Sequence, residues 1–410
     1  MKKNIAKLIA LSFLACASLS AQLTQVSNIE QVTVSKERLS RYDTFLNRQV
    51  KFGKIPGAIS YIMKDGQTVH EKAYGYSSLK DRTPMREDGI FHIMSMTKPI
   101  VTAAFMMLYE EGYFQLTDPV SKYIPQFTNL RVAKDVNEGI DGTTEPVNNA
   151  VTIHHLLTHT AGFSHGLGGS ALDNATAKAL YMESQKNIES RVNTLARLPM
   201  IGHPGEQWYY SASPDVLSLL IEKFSGMTTA NFLKKRIFDP LGMKDTGYNI
   251  PKEEQVRWTP VHNFNQEGKM VNSEQQLPVE GNTVFGGTHG LFSTVADYMK
   301  FCQMLLNKGE WNGVRYLSPK TIEIMTMNQV GELYEAPGQG FGLGFGVTTD
   351  IAESKSLGSV GQYYWSGAYC TYFFIDPREK LIAILITQVQ PYNNYYGTVM
   401  RQFIYQALTD

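Results

Sequence analysis

Apolar residues return every third or fourth position through residues 39–50, the stripe of an amphipathic helix. Residues 57–63 and 68–74 read instead as strands, and Asp65-Gly66 between them is a tight-turn dipeptide. A helical pattern then covers residues 99–112. Pro99 at its start is no obstacle, because first-turn N–H groups lack partners inside the helix. From residue 113 to about 290 the chain reads as helix and loop rather than strand, with short helices over 152–158 and 213–224, the second stopped at Gly226. Residues 297–306 predict a further helix ending near Gly309. Two dense β runs return at 369–375 and 381–388, with Asp376-Pro377 opening the turn between them, and residues 396–408 predict a closing helix. Strands at both ends and helices between them predict an α/β (α+β) chain with one antiparallel sheet built from both ends. Residues 37–98 and 291–410 would form the sheet domain, and 99–290 a mostly helical inserted domain. The cleft between the two is the expected place for a site.

The first stretch is set apart from this pattern. Lys2 and Lys3 precede an apolar run over residues 5–17 that is too short to span a bilayer, and small residues follow. Residues 1–21 therefore read as a secretory signal and 22–36 as a polar leader, which predicts export to the periplasm or the medium. Phe13 stands where lipoprotein signals usually carry an aliphatic residue, which weighs against a lipid anchor on Cys16. No later segment has the uncharged apolar length of a membrane helix. The 410 residues are 43% hydrophobic and 19% charged, as expected of a packed globular core. Their formal net charge is zero, and losing Lys2, Lys3 and Lys7 would leave the chain slightly acidic. Nothing in this balance suits a phosphate backbone, so no nucleic-acid partner is expected.

The candidate chemistry begins at Ser95-Met96-Thr97-Lys98. A serine hydroxyl becomes a nucleophile when a base takes its proton. Residues i and i+3 share a helix face, so Ser95 and Lys98 can touch, and burial would disfavour the ammonium form and make Lys98 a usable base. Tyr210 lies in Pro204-Gly205-Glu206-Gln207-Trp208-Tyr209-Tyr210-Ser211, just before a helix start. Trp365-Ser366-Gly367-Ala368 leads into a β run. In this order the chain resembles the serine β-lactamase and penicillin-binding-protein superfamily. Within it, the chain is most similar to class C β-lactamases and to the carboxylesterases built on their fold. Leu156-Leu157-Thr158-His159-Thr160-Ala161-Gly162, Gly290-Leu291-Phe292-Ser293-Thr294 with Asp297, and Asp376-Pro377 are further phrases of that kind. The resemblance spans roughly residues 40–408 and implies a β-lactamase/DD-peptidase-like fold.

It also implies roles. Ser95 would be acylated, and Lys98 and Tyr210 would share the proton traffic, Tyr210 as a phenolate-like base eased by the lysine charge. The backbone N–H groups of Ser95 and Ala368 would form the oxyanion hole, with Trp365, Ser366 and Gly367 against the substrate. Two positions depart from the lactamase pattern. Ala212 replaces the asparagine of Tyr-x-Asn, and Trp365 replaces the lysine of Lys-Thr-Gly, which helps bind a substrate carboxylate. Tryptophan offers an apolar wall and one indole N–H instead. The expectation is therefore an acyl-enzyme carboxylesterase acting on small neutral esters, without cofactor or metal. β-Lactamase action, D-amino-acid peptidase or amidase action, acyl transfer to an alcohol, and a non-catalytic penicillin-recognising scaffold stay open as alternatives.

Rival signals are weaker. Gly162-Phe163-Ser164-His165-Gly166 matches the nucleophile elbow G-x-S-x-G, but that elbow needs a strand before the serine. His155 and His159 have a zinc-compatible spacing with no glutamate between them, and read as packing and a helix-end hydrogen bond. His289 in Gly286-Gly287-Thr288-His289-Gly290 could line the cleft. Tyr363, Tyr364 and Trp365 read equally as an acyl pocket or as sheet packing. Loops over residues 132–150 and 166–177 are expected to rim the cleft. Cys302 and Cys370 read as unpaired.

Overall fold

The computed structural model describes residues 24–25 and 29–409, so the expected signal segment and Cys16 lie outside the described residues. Three central strands, Gly57–Lys64, Thr371–Asp376 and Leu381–Ile386, are buried along their whole length. Alternate side chains of each enter two different cores. Ile59, Tyr61, Phe373 and Ile384 point to one, while Ala58, Ile62, Phe374 and Leu385 point to the other. A strand covered on both faces needs no polar side, which explains the nearly continuous apolar runs. The sheet order is Gln67–Ser78, Gly57–Lys64, Leu381–Ile386, Thr371–Asp376, Tyr363–Gly367, Gly346–Thr348, Gln339–Phe341, each antiparallel to the next. Thr24–Gln25 lies parallel outside Gln67–Ser78.

Helices close both faces. Lys36–Lys51 buries Leu39, Tyr42 and Leu46, and Tyr395–Tyr405 buries Tyr396, Met400 and Ile404, against the same core. The opposite face carries Val295–Leu306. Beyond it runs Thr97–Glu110, in which every residue from Thr97 to Leu108 is buried. A helix apolar on all sides belongs inside a large core. Its entry is fixed by a short antiparallel pair, Phe91–His92 with Phe292–Ser293, and by Ile93 N–H donating to Leu291 O at 3.0 Å.

The predicted elements are present, with four differences. Trp365-Ser366-Gly367 does not lead into the β run beginning at residue 369. It belongs to a separate strand, Tyr363–Gly367, and residues 368–370 make the turn to the next strand. The 113–290 stretch holds two short hairpins, Arg131–Ala133 with Thr144–Pro146 and His262–Phe264 with Met270–Asn272. The 166–177 stretch is partly helix, Ala171–Ala177. The expected polar leader carries buried Val32 and Val34, which join the core under Lys36–Lys51. Cys302 and Cys370 are free and buried, one in each core. Among the described residues, no helix is long and apolar enough to cross a membrane.

Candidate active site

Ser95 sits in a 3-10 turn, Met94–Met96, that runs directly into the helix Thr97–Glu110. The residue before it, Met94, is held at φ +49°, a left-handed conformation that side-chain-bearing residues rarely adopt. Tyr298 Oη donates to Met96 O at 3.0 Å and pins the turn from below. Ser95 stays partly exposed while Lys98, one turn on, is 1% exposed. Lys98 Nζ donates to Ser95 Oγ at 3.1 Å and to Thr288 O at 2.7 Å. No carboxylate touches the amine, and burial pulls its pKa well below the ordinary lysine value, opposed by the more distant Asp215. The i, i+3 spacing thus gives the expected contact, across a 3-10-to-α junction.

Tyr210 completes the group. Lys98 Nζ lies 4.4 Å from the centroid of its ring rather than at its hydroxyl. Burial raises the Tyr210 pKa, and the neighbouring Ser95 and Trp365 side chains only partly offset this. The hydroxyl is buried without a hydrogen-bond partner in bonding geometry. Burial thus works against the phenolate expected from a lysine charge: it shifts Tyr210 toward the neutral phenol and Lys98 toward the free amine.

Tyr210 is also braced from outside. Tyr209 Oη donates to both carboxylate oxygens of Asp173, at 3.2 and 3.1 Å. Ser164 Oγ donates to the same carboxylate at 2.5 Å, and Ser170 does so through N–H and Oγ. Ser164 is thereby committed to a structural bond. It is 2% exposed, with no strand before it, and is not positioned as a nucleophile. His159 Nδ1 lies 2.8 Å from Ser211 Oγ and accepts the Ser211 N–H at 3.2 Å. His155 Nδ1 accepts the Thr152 N–H of its own helix cap. Both are structural, and no group of three or more metal-ligating side chains occurs among the described residues.

The strand Tyr363–Gly367 approaches from the other side. A Cβ at Gly367 would stand 2.4 Å from Ile93 O, so only glycine lets the strand come this close to the serine turn. Along Tyr363–Gly367, the neighbouring strand Gly346–Thr348 pairs only with Tyr363 and Tyr364. Trp365, Ser366 and Gly367 therefore keep a free edge toward Ser95, and Ala368 beyond them is exposed. Trp365 meets Tyr210 with centroids 5.6 Å apart and Phe341 at 5.2 Å. Trp208 and Phe341, 5.5 Å apart, continue this aromatic wall. A cavity of about 620 Å³ lies beside it, lined by Trp208, Tyr209, Tyr334, Glu206 and Glu332 among others. Ser366 Oγ is 3.0 Å from Tyr392 Oη. Ala212 is fully buried and offers no amide. Its N–H donates to Ser164 O at 3.2 Å.

Sequence reasoning missed Thr288, whose carbonyl holds Lys98. The signal was Gly286-Gly287: a Cβ at Gly287 would lie 2.2 Å from Pro214 O, and one at Gly286 2.6 Å from Asp215. Two glycines let this loop press onto the helix Ser213–Ser225, where Asp215 Oδ1 accepts the Thr288 N–H at 2.8 Å.

The structure brings together a partly exposed serine, a buried lysine one turn on without a carboxylate partner, a tyrosine over that lysine and a glycine-bearing strand edge, in the order of the motifs in the sequence. Residues 43–402 match the profile of the Beta-lactamase family. The chain belongs to that family. An uncharacterised protein of Mycobacterium tuberculosis is 30% identical over 352 residues, covering 83% of this chain and 87% of its own. Esterase EstB of Burkholderia gladioli is 28% identical over 370 residues, covering 85% and 90%. Among solved structures, EstCE1, described as a hydrolase with promiscuous acyltransferase activity, superposes with a TM-score of 0.78 at 23% identity, over 90% of this chain and 99% of its own. The fold is the β-lactamase/DD-peptidase fold, with an antiparallel sheet between helices, as the motifs implied.

Proposed function

We propose that the protein is a serine hydrolase that cleaves small neutral carboxylic esters through an acyl-enzyme on Ser95. The observation that carries this reading is the 3.1 Å contact between Ser95 Oγ and a buried amine whose ammonium form burial disfavours. Lys98 Nζ takes the Ser95 proton as Oγ attacks the ester carbonyl. Negative charge develops on the carbonyl oxygen, and the N–H groups of Ser95 and Ala368 receive it. As the C–O bond breaks, the proton passes from Lys98 to the departing alkoxide, beside the Tyr210 ring that covers the amine. Water repeats the sequence in reverse on the acyl-enzyme, frees the acid and restores Ser95. Trp365 and Ala212, in place of the lysine and asparagine of the lactamase pattern, favour esters over lactams with a carboxylate. The esterase relative supports the same direction.

The purified chain should release p-nitrophenol from acyl esters between acetyl and octanoyl, and Ser95→Ala should not. Absence of turnover on the whole panel, or nitrocefin cleavage at a matching rate, would overturn the ester reading. The aromatic wall of Trp208, Phe341 and Trp365 favours one second reading, transfer of the acyl group to an alcohol instead of water. Added short alcohols would then yield new esters from the same acyl-enzyme.

A further inference from the structure

A group of polar rings beside Tyr210 has no part in the acylation steps above. His165 stacks on Tyr210, with centroids 5.1 Å apart and planes at 19°. It lies 5.5 Å from Tyr181 and 6.4 Å from His289, and those two are 5.0 Å apart. The Arg191 guanidinium covers the Tyr181 ring at 5.3 Å. His165 is 9% exposed, and neither of its ring nitrogens has a hydrogen-bond partner. Arg191 Nε is buried and unpartnered too, and the Tyr181 hydroxyl, near the Thr288 side chain, makes no bond in bonding geometry. Buried polar atoms are nearly always paired, so several unpaired ones side by side next to a reactive centre point to a ligand that pairs them. His289 is partly exposed, which gives the group an opening to solvent.

The charges select the kind of ligand. Asp215, 1% exposed, stands 3.5 Å from Arg191 and balances its guanidinium. Burial lowers the His165 pKa to about 3 and holds His289 well below its ordinary value. Both imidazoles are therefore neutral near pH 7, each with one N–H and one lone pair. A carboxylate would find no unbalanced positive charge here. A hydroxyl, which both donates and accepts, matches neutral imidazole and phenol.

We propose that His165, Tyr181, His289 and Arg191 form a subsite for a hydroxyl-bearing, uncharged part of the ester substrate. The inference rests on the ester-hydrolase reading of Ser95 and adds the class of ester. It is tested on the full chain with matched substrates. One pair is p-nitrophenyl butyrate and p-nitrophenyl 3-hydroxybutyrate, which places the hydroxyl on the acyl side. The other is propyl butyrate and 2,3-dihydroxypropyl butyrate, which places it on the alcohol side. At least one hydroxylated member should exceed its plain partner in kcat/KM by about tenfold or more. That ratio should fall toward one in both Tyr181→Phe and His165→Phe. A ratio is read within each variant, so partial loss of folded protein does not mimic the effect. Ratios near one in both pairs, with plain esters still cleaved, overturn the subsite and leave the hydrolase standing. A high ratio that survives both substitutions, or a preference for p-nitrophenyl hydrogen succinate over the hydroxylated esters, also overturns it. Failure to cleave any ester overturns the parent reading instead.

Discussion

At Lys98 the decisive quantity is the cost of keeping a charge out of water. The amine has a serine hydroxyl and a peptide carbonyl as partners and no carboxylate, so burial favours its neutral form. Ester kcat/KM should therefore rise with pH as Lys98 loses its proton, with a midpoint well below the lysine value of 10.5. The raised Tyr210 pKa predicts no loss of activity from phenol ionisation below about pH 10. A pH–rate profile that stays flat until pH 10 and then rises would refute the assignment of the base. Lys98→Arg, whose guanidinium keeps its proton, should lower kcat by about 10²–10⁴-fold. At Ser164 the outcome should be the reverse of Ser95. Ser164→Ala removes a donor from buried Asp173 and should cost about 1–3 kcal/mol in stability, while fluorophosphonate labelling stays on Ser95.

Among the elements, the strand Tyr363–Gly367 bears most directly on the site. Its glycine is demanded by a 2.4 Å approach to Ile93 O, so Gly367→Ala must push the strand away from the serine turn. Displacements near 1 Å can cost about 10²-fold in rate. The variant should thus lose kcat by that order while its urea unfolding midpoint moves little. Equal losses in both would make Gly367 a folding residue only. This strand also marks where the sequence was hard to read. Residues 363–367 and the β run from 371 are separated only by a tight turn, and the apolar and aromatic residues are continuous across it, so periodicity gave one boundary where there are two. The strands Gln339–Phe341 and Gly346–Thr348 are three residues each and rich in glycine, too short to carry a period. By contrast, the helix Ser213–Ser225 was legible to within a residue, because Gly226 at φ +68° ends it.

For the whole molecule, the two-ended sheet could be inferred because strands buried on both faces need long apolar runs, and 57–63, 369–375 and 381–388 supply them near the two ends. The partners of the site could not. Thr288 and His165 reach it from loops and Asp173 from the short helix Ala171–Ala177, through packing that leaves no spacing signal. The many buried histidines have a global effect. Burial lowers His92 and His165 to about 3 and His262 to about 4. In the unfolded chain they titrate near 6.5, so between about pH 4 and 6.5 the unfolded state binds more protons. Each such group then removes about 1.4 kcal/mol of stability per unit fall in pH across that window. Calorimetric Tm should drop steeply from pH 6.5 to 4.5, where the histidines titrate, and more gently from pH 8 to 6.5, where Lys98, depressed in the fold and protonated in the unfolded chain, still favours unfolding. A His92→Phe variant should show a shallower acid slope, and an unchanged slope would count against this origin.

The two buried thiols lie on opposite sides of the central sheet, Cys302 in the core beneath Val295–Leu306 and Cys370 in the core shared by the terminal helices. Neither can reach the other while the sheet stands. Each is therefore shielded by a different layer, and the rate at which an alkylating reagent finds it measures how often that layer alone opens. The chain carries its own pair of clocks, one for the helices nearest the serine and one for the helices behind the sheet.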